Sequence, residues 1–272
     1  MPSRKRKRVF LPDSSAVDGH RLYLISCGPG DPGLITVKGL ARIAECPFVL
    51  SPDQLAASFA DQLDGKEVAS PFTMDRETLL SWVEERLLKG PVALLIPGDF
   101  SIFCPFQSFV ADFAGRCEVI PGISTHVAAM ALIKKSTDVP EVAHTAVITS
   151  PRAYSRDGGN HYYRLGGKGK TLVLYMNDRP LAQLADELMN AYAPDTPIAL
   201  FEELGSAEQA VTISTLERLV DAFAGRDPFG IGADSPEPKL TLVVVGEAVT
   251  KDEEPRWWNR RYETIWKPRG MR

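Results

Sequence analysis

Three apolar runs in this chain each pass directly into a tight turn of glycine and proline: "RLYLISCGPGDPG" from residue 21, "ALLIPGDFSIF" from residue 93 and "EVIPGISTHVAA" from residue 118. Short runs with little polar alternation are what strands buried on both faces look like. Only a sheet covered by helices on both sides buries them that way. The intervening stretches "LITVKGLARIAEC" and "DRETLLSWVEERLLKG" repeat apolar residues at helical spacing and supply the cover. In an open parallel sheet, the turns that follow the strands gather on one edge, and ligands bind at that edge. One Pro-Gly turn merely punctuates a chain; three at strand ends mark a candidate site.

The sequence predicts two α/β domains. A chain of 272 residues, 44% of them hydrophobic, exceeds the usual size of one core. Residues 1–19 form a basic tail, "MPSRKRKR" at its start, read as solvated. Residues 20–150 are expected to form a mostly parallel, doubly wound sheet closed by "HTAVITS". From Ser150 to Lys170 the composition changes to five glycines, five cations, three tyrosines and one acid, which reads as a domain boundary. Residues 151–272 then hold a smaller domain whose strands "TLVLYM", "TPIALF", "AVTIS" and "KLTLVVVGEAV" suit a mixed sheet. The tryptophan-rich end "PRWWNRRYETIWKPRGMR" is expected to pack across the surface or a partner.

Several function classes recede on composition. No apolar stretch approaches the roughly 20 residues of a membrane span. A net charge of −4 argues against nucleic acid as the main partner. Cys27, Cys46, Cys104 and Cys117 lie far apart, suggesting neither a zinc site nor a disulfide framework and fitting a reduced cytoplasm. His20, His126, His144 and His161 have no ligand spacing and read as ordinary core or surface imidazoles.

Gly28, Gly30 and Gly33 do match the dinucleotide spacing G-x-G-x-x-G, with Asp53 downstream where a ribose would want it. That motif works because backbone N–H groups point at a pyrophosphate. Pro29 and Pro32 have none to offer. A stiff, sharply turned backbone wall for a flat or apolar ligand fits better than an NAD(P)-dependent oxidoreductase.

Taken together, "LYLISCGPGDPGLITVKGLARIAECPFVL", "PGDFSIF", "EVIPGIST", "KTLVLYM", "DTPIALFEELGSAEQAVTISTL" and "LTLVVVGEAV" resemble the tetrapyrrole methylase family, in family order over residues 21–249. Within that family, "LIKKSTDVPEVAHTAVITSPR" is most similar to precorrin-4 carbon-11 methyltransferases, with uroporphyrinogen-III methyltransferases next. The resemblance implies a cytoplasmic, homodimeric, S-adenosylmethionine-dependent C-methyltransferase of cobalamin biosynthesis. Its product would be S-adenosylhomocysteine, its substrate a tetrapyrrole, and its cofactor cleft would lie between two α/β domains. By motif, Pro29 would line the cleft, Pro97, Gly98 and Asp99 would present backbone to the methionine part, and Ile102 would pack nearby. Ser124 and Thr125 stand for a small polar pair, Met176 closes "TLVLYM", and Leu240 and Thr241 would enter beside the adenine. Leu204 stands where relatives carry Ala or Gly, so truncating it is expected to be harmless. Relatives read G-D-P-x-x-Y/F-G where this chain has Phe100 and Cys104, and together with Leu204 these departures leave open a methylase-fold binding module without catalysis.

Methyl transfer to carbon needs alignment in a dry site more than covalent help. Asp99, with Glu202 behind it, is the candidate base; either carboxylate equally suits bracing a turn. A tetrapyrrole's carboxylates call for arginine. Arg152, Arg156 and Arg164, with Lys168 and Lys170, are the candidates, and Tyr154, Tyr162 and Tyr163 could stack on the macrocycle, although a solvated linker has the same composition.

Overall fold

The computed structural model describes residues 19–152, 161–231 and 239–270. Its contacts divide the chain into two compact units after Ser124. In the first, β1 (Leu22–Ser26), β2 (Phe48–Leu50), β3 (Glu67–Ala69), β4 (Val92–Ile96) and β5 (Cys117–Ile120) form an all-parallel sheet in the order β3-β2-β4-β1-β5. The central strands β1 and β4 bury side chains on both faces, as their unbroken apolar runs require, while the edge strands β3 and β5 are more exposed. Leu22, Leu24, Leu50, Leu94 and Ile96 pack under α4 (Arg76–Leu87) and the Phe106, Phe109 and Phe113 segment, which includes α5 (Phe109–Asp112). Tyr23, Ile25, Val49, Ala93 and Leu95 face the other way, onto α1 (Val37–Glu45), α2 (Asp53–Ser58) and α3 (Ala60–Leu63).

That split of helices fixes where the sheet opens. The connection leaving β1 crosses one face toward β2, and the connection leaving β4 crosses the other toward β5. Between β1 and β4 the two therefore diverge, which is the switch point at which such sheets bind ligands. After β1 comes one 3-10 turn at Pro32–Leu34, and the α-helix starts only at Val37, where the Thr36 hydroxyl accepts the Gly39 N–H at 3.1 Å. Its N-terminus is thus well past the glycines, unlike a dinucleotide loop.

The second unit contains β6 (Thr145–Thr149), β7 (Lys170–Leu174), β8 (Pro197–Glu202), β9 (Ala210–Thr215) and β10 (Thr241–Val245), ordered β6-β7-β10-β8-β9. Only β6 and β7 are parallel, so this sheet is mixed. One face is covered by α7 (Leu181–Leu188) and α8 (Leu219–Phe223) together with Tyr162 and Tyr192, the other by Ala129 and Met130 of α6 (Thr125–Leu132). A last helix, α9 (Pro255–Arg261), is followed by a wide turn through Trp266.

The division falls earlier than the expected residue 150. β6 pairs with β7 in register from Thr145↔Lys170 to Thr149↔Leu174, and α6 buries its apolar side on the second sheet. The glycine-rich, basic stretch from Ser150 to Lys170 is consequently the crossover between two parallel strands of one sheet and not a link between domains. A parallel pair demands such a long connection. From Ser101 the chain runs through turns into the short α5 before β5.

Candidate functional site

At the C-terminal edge of the first sheet, three turns are tied into one piece. Gly28 and Gly98 exchange both backbone hydrogen bonds, at 3.0 and 2.7 Å, joining the turns after β1 and β4. Both have positive φ, 69° and 72°, which glycine adopts without strain. Asp99 links the second turn to the third: one carboxylate oxygen accepts the Gly122 N–H at 2.8 Å, the other the Ser101 N–H at 3.0 Å and the Ser101 hydroxyl. The Asp99 carbonyl also receives the Ile102 N–H at 3.0 Å, closing a β-turn with Phe100 and Ser101 at its centre. Burial by itself pushes the Asp99 carboxyl up, but bonds from Ser101, Gly122 and Ser26 outweigh it and leave it below the usual carboxylate range. Outside this knot, Pro97 and Phe103 stand exposed and Ile102 half-exposed.

The second sheet has an edge of similar character. Strands β7 and β8 both end there and β10 begins there, because β10 is antiparallel to each, with Val243 opposite Leu174 and Thr241 opposite Glu202. Met176, Leu204, Leu240 and Thr241 are thereby brought to one end of one sheet. Two residues there that are not glycine, Met176 (φ 48°) and Glu203 (φ 46°), have left-handed backbone. Such strain costs of order 1 kcal/mol or more and collects at functional edges. Asn177 adds a buried carbonyl oxygen, Oδ1, with no hydrogen-bond partner, while its amide donates to the Arg179 carbonyl at 2.7 Å. Met176 and Leu240, 45% and 56% exposed, leave apolar surface open at this edge.

Comparison with known proteins bears on this architecture. The model of the tetrapyrrole (corrin/porphyrin) methylases matches residues 21–220. The chain belongs to that family. Among its relatives are precorrin-4 C(11)-methyltransferases from Pseudomonas aeruginosa, 25% identical over 85% of this chain and 91% of the relative, and from Rhodococcus erythropolis, 29% identical over 86% and 94%. A solved cobalt precorrin-4 methyltransferase shares the fold with a TM-score of 0.73 at 24% identity, covering 85% of this chain and 96% of that one. Uroporphyrin-III C-methyltransferase from Thermus thermophilus, solved complexed with S-adenyl homocysteine, gives 0.61 at 23% identity, covering 84% and 98%.

In this methylase the expected site residues sort into three groups. Pro29, Pro97, Gly98, Asp99, Ile102 and Ser124 lie on the turns of the first unit; Met176, Leu204, Leu240 and Thr241 lie on the edge of the second, and Thr125 opens α6. Asp99 is a brace: a carboxylate already accepting three hydrogen bonds and held low is a poor proton acceptor. Glu202, only 4% exposed, is likewise committed, to the Arg226 guanidinium through both oxygens. The Leu204 side chain turns into the core against α6, Phe201 and Leu242 and does not line an opening. Thr241 spends its hydroxyl on the Pro228 carbonyl.

Among the candidate substrate cations, Arg152 is exposed just beyond β6, at the edge that carries Met176. Arg164 sits in a short turn before the start of β7, at the opposite end of that strand. The two are not brought together. Arg156 and Tyr154 lie outside the described residues, and Tyr162 is fully buried in the core, unable to stack on a ligand. His126 pairs with Tyr175, whose hydroxyl oxygen is 3.1 Å from Nδ1 and accepts the His126 N–H at 3.0 Å; burial pushes the imidazole pKa down. Sequence reading passed over Ser26, Ser101 and Asn177, because small polar residues near strand ends carry no pattern of their own.

Proposed function

We propose that this chain is an S-adenosylmethionine-dependent C-methyltransferase acting on a tetrapyrrole of the precorrin-4 class in cobalamin biosynthesis, working as a cytoplasmic homodimer. The similarity over most of its length to precorrin-4 C(11)-methyltransferases carries this reading. The chemistry of the two edges supports it. A sulfonium cofactor with an amino acid end and an adenine asks for backbone polar groups, an available acceptor and open apolar surface. Exposed Pro97 in the turn after β4, the partnerless though buried Asn177 oxygen, and Ile102, Met176 and Leu240 are of that kind.

On this reading, Pro97, Gly98 and Ile102 hold the methionine part, Met176, Leu240 and Thr241 the adenine part, with Pro29, Ser124 and Thr125 flanking. When bound, S-adenosylmethionine supplies an electrophilic methyl group. The protein's own contribution is alignment and dryness: a turn cluster locked by hydrogen bonds presents a fixed backbone, and apolar side chains exclude water. The reduced tetrapyrrole brings its own nucleophilic carbon, and Arg152 meets one of its carboxylates. Phe100, Cys104 and Leu204, the departures that suggested a non-catalytic binding module, all pack onto cores, so none of them argues for a filled site.

Mass spectrometry of tetrapyrrole intermediates incubated with the protein and a methyl-labelled donor tests the proposal. A precorrin-4 or cobalt-precorrin-4 pool should gain one labelled methyl group. Label appearing only on uroporphyrinogen III would move the substrate one class away, and no labelling of any tetrapyrrole would overturn the reading.

A further inference from the structure

Ser26 closes β1 and is completely buried. A hydroxyl at such a position costs stability unless it is hydrogen-bonded. Its oxygen accepts the Phe100 N–H at 2.9 Å, reaching the turn after β4, and the same hydroxyl helps hold the Asp99 carboxyl low. It also bounds the turn after β5. A Cβ built on Gly122 would lie 2.6 Å from the Ser26 Cβ and 2.7 Å from its carbonyl oxygen, so Gly122 rests directly on this residue. One side chain therefore touches two of the three turns while its backbone leads into the other.

The turn it holds has little stiffness of its own. Gly98 is flexible by nature, and Phe100 occupies the second position of the Asp99–Ile102 turn, where a proline would fix φ unaided. We propose that Ser26 is the positioning residue of the cofactor edge: its hydroxyl pins the Asp99–Phe100 segment against the Gly122 turn and so sets the turn at exposed Pro97 for S-adenosylmethionine. This rests on the function proposed above.

Titration calorimetry with S-adenosylhomocysteine tests it on the full chain. Ser26→Ala should bind about tenfold more weakly, the scale of one lost hydrogen bond with its donor left unpaired. Val83→Ala, which opens a cavity in the core beneath α4, should lower the melting temperature yet bind like the parent. Adding Phe100→Pro to Ser26→Ala should restore most of the affinity, since proline removes the orphaned N–H and stiffens the turn; a space-filling role for Ser26 would instead make the second change additive. Parent-like binding by Ser26→Ala, a loss matched by Val83→Ala, or absence of rescue each overturns the positioning role alone. A parent that fails to bind S-adenosylhomocysteine overturns the proposed function, and this inference with it.

Discussion

Gly28 and Gly98 form a two-residue antiparallel bridge between loops that follow parallel strands, each donating its N–H to the other's carbonyl. The bridge uses backbone alone and needs positive φ at both residues. Replacing Gly98 by Val would place a β-branched residue in left-handed backbone, a conformation that strongly disfavours it. The expected outcome is severe loss of S-adenosylhomocysteine affinity in calorimetry, with far-UV circular dichroism close to the parent because the sheet lies below the bridge. Undiminished affinity would mean that the cofactor binds elsewhere.

Leu204 illustrates how position in a motif and position in a core can disagree. Family likeness suggests that a small residue is welcome there, but the side chain is 8% exposed and packs with Met130, Phe201, Leu242 and Val249. Leu204→Ala should therefore destabilise the protein by about 2–5 kcal/mol, the usual range for truncating a core leucine. Urea unfolding reads this directly. A change below about 1 kcal/mol would show that the site collapses without a cavity, as the motif alone suggested.

Asp99 ties two turns together most strongly when ionised. Its folded-state pKa lies below the unfolded value, so the stabilisation it gives is complete above about pH 4 and disappears as pH falls through the folded pKa. Asp99→Asn would set an amide N–H₂ against one of the N–H donors of Ser101 or Gly122, costing about 1–3 kcal/mol at neutral pH. The difference in stability between parent and variant should shrink on acidification below about pH 4. A difference that stays constant down to pH 2 would show that the carboxylate charge contributes nothing.

What the sequence makes legible follows from which interactions leave a pattern. Strands β1 and β4 could be placed because burial on both faces forces uninterrupted apolar residues, β5 because a short run leads into a Pro-Gly turn, and the turns after all three because glycine and proline have few other uses. The mixed second sheet was readable on the same grounds. The boundary was not: "THVAAMAL" is apolar on a helical period whichever sheet it covers, and nothing in "HTAVITS" says that its partner is β7. The composition change after Ser150 marks a crossover, since a long connection has the same composition whether it joins strands or domains. Asp99 could be located but not given a role, because base and brace demand the same residue and differ only in the donors around it. Those donors, the Ser101 hydroxyl and the backbone of Gly122, come from separate strand ends that only the fold brings together.

The substrate cations give the sharpest remaining test, because the crossover separates residues that look equivalent in sequence. Arg152 leaves β6 at the edge shared with Met176, whereas Arg164 precedes β7 at the far end of the same strand pair; both are exposed. Of these two, Arg152 is the one expected to meet a tetrapyrrole carboxylate. Arg152→Gln should weaken tetrapyrrole binding by roughly 1.5–3 kcal/mol, the scale of a charged hydrogen bond, with little change in cofactor affinity. Added salt should weaken binding in the parent and less so in this variant, since screening acts on the charge removed. Arg164→Gln should bind like the parent at every ionic strength. If Arg164→Gln loses affinity and Arg152→Gln does not, the acidic side chains of the substrate lie along the start of β7, and the edge that carries Met176 is not where the macrocycle is held.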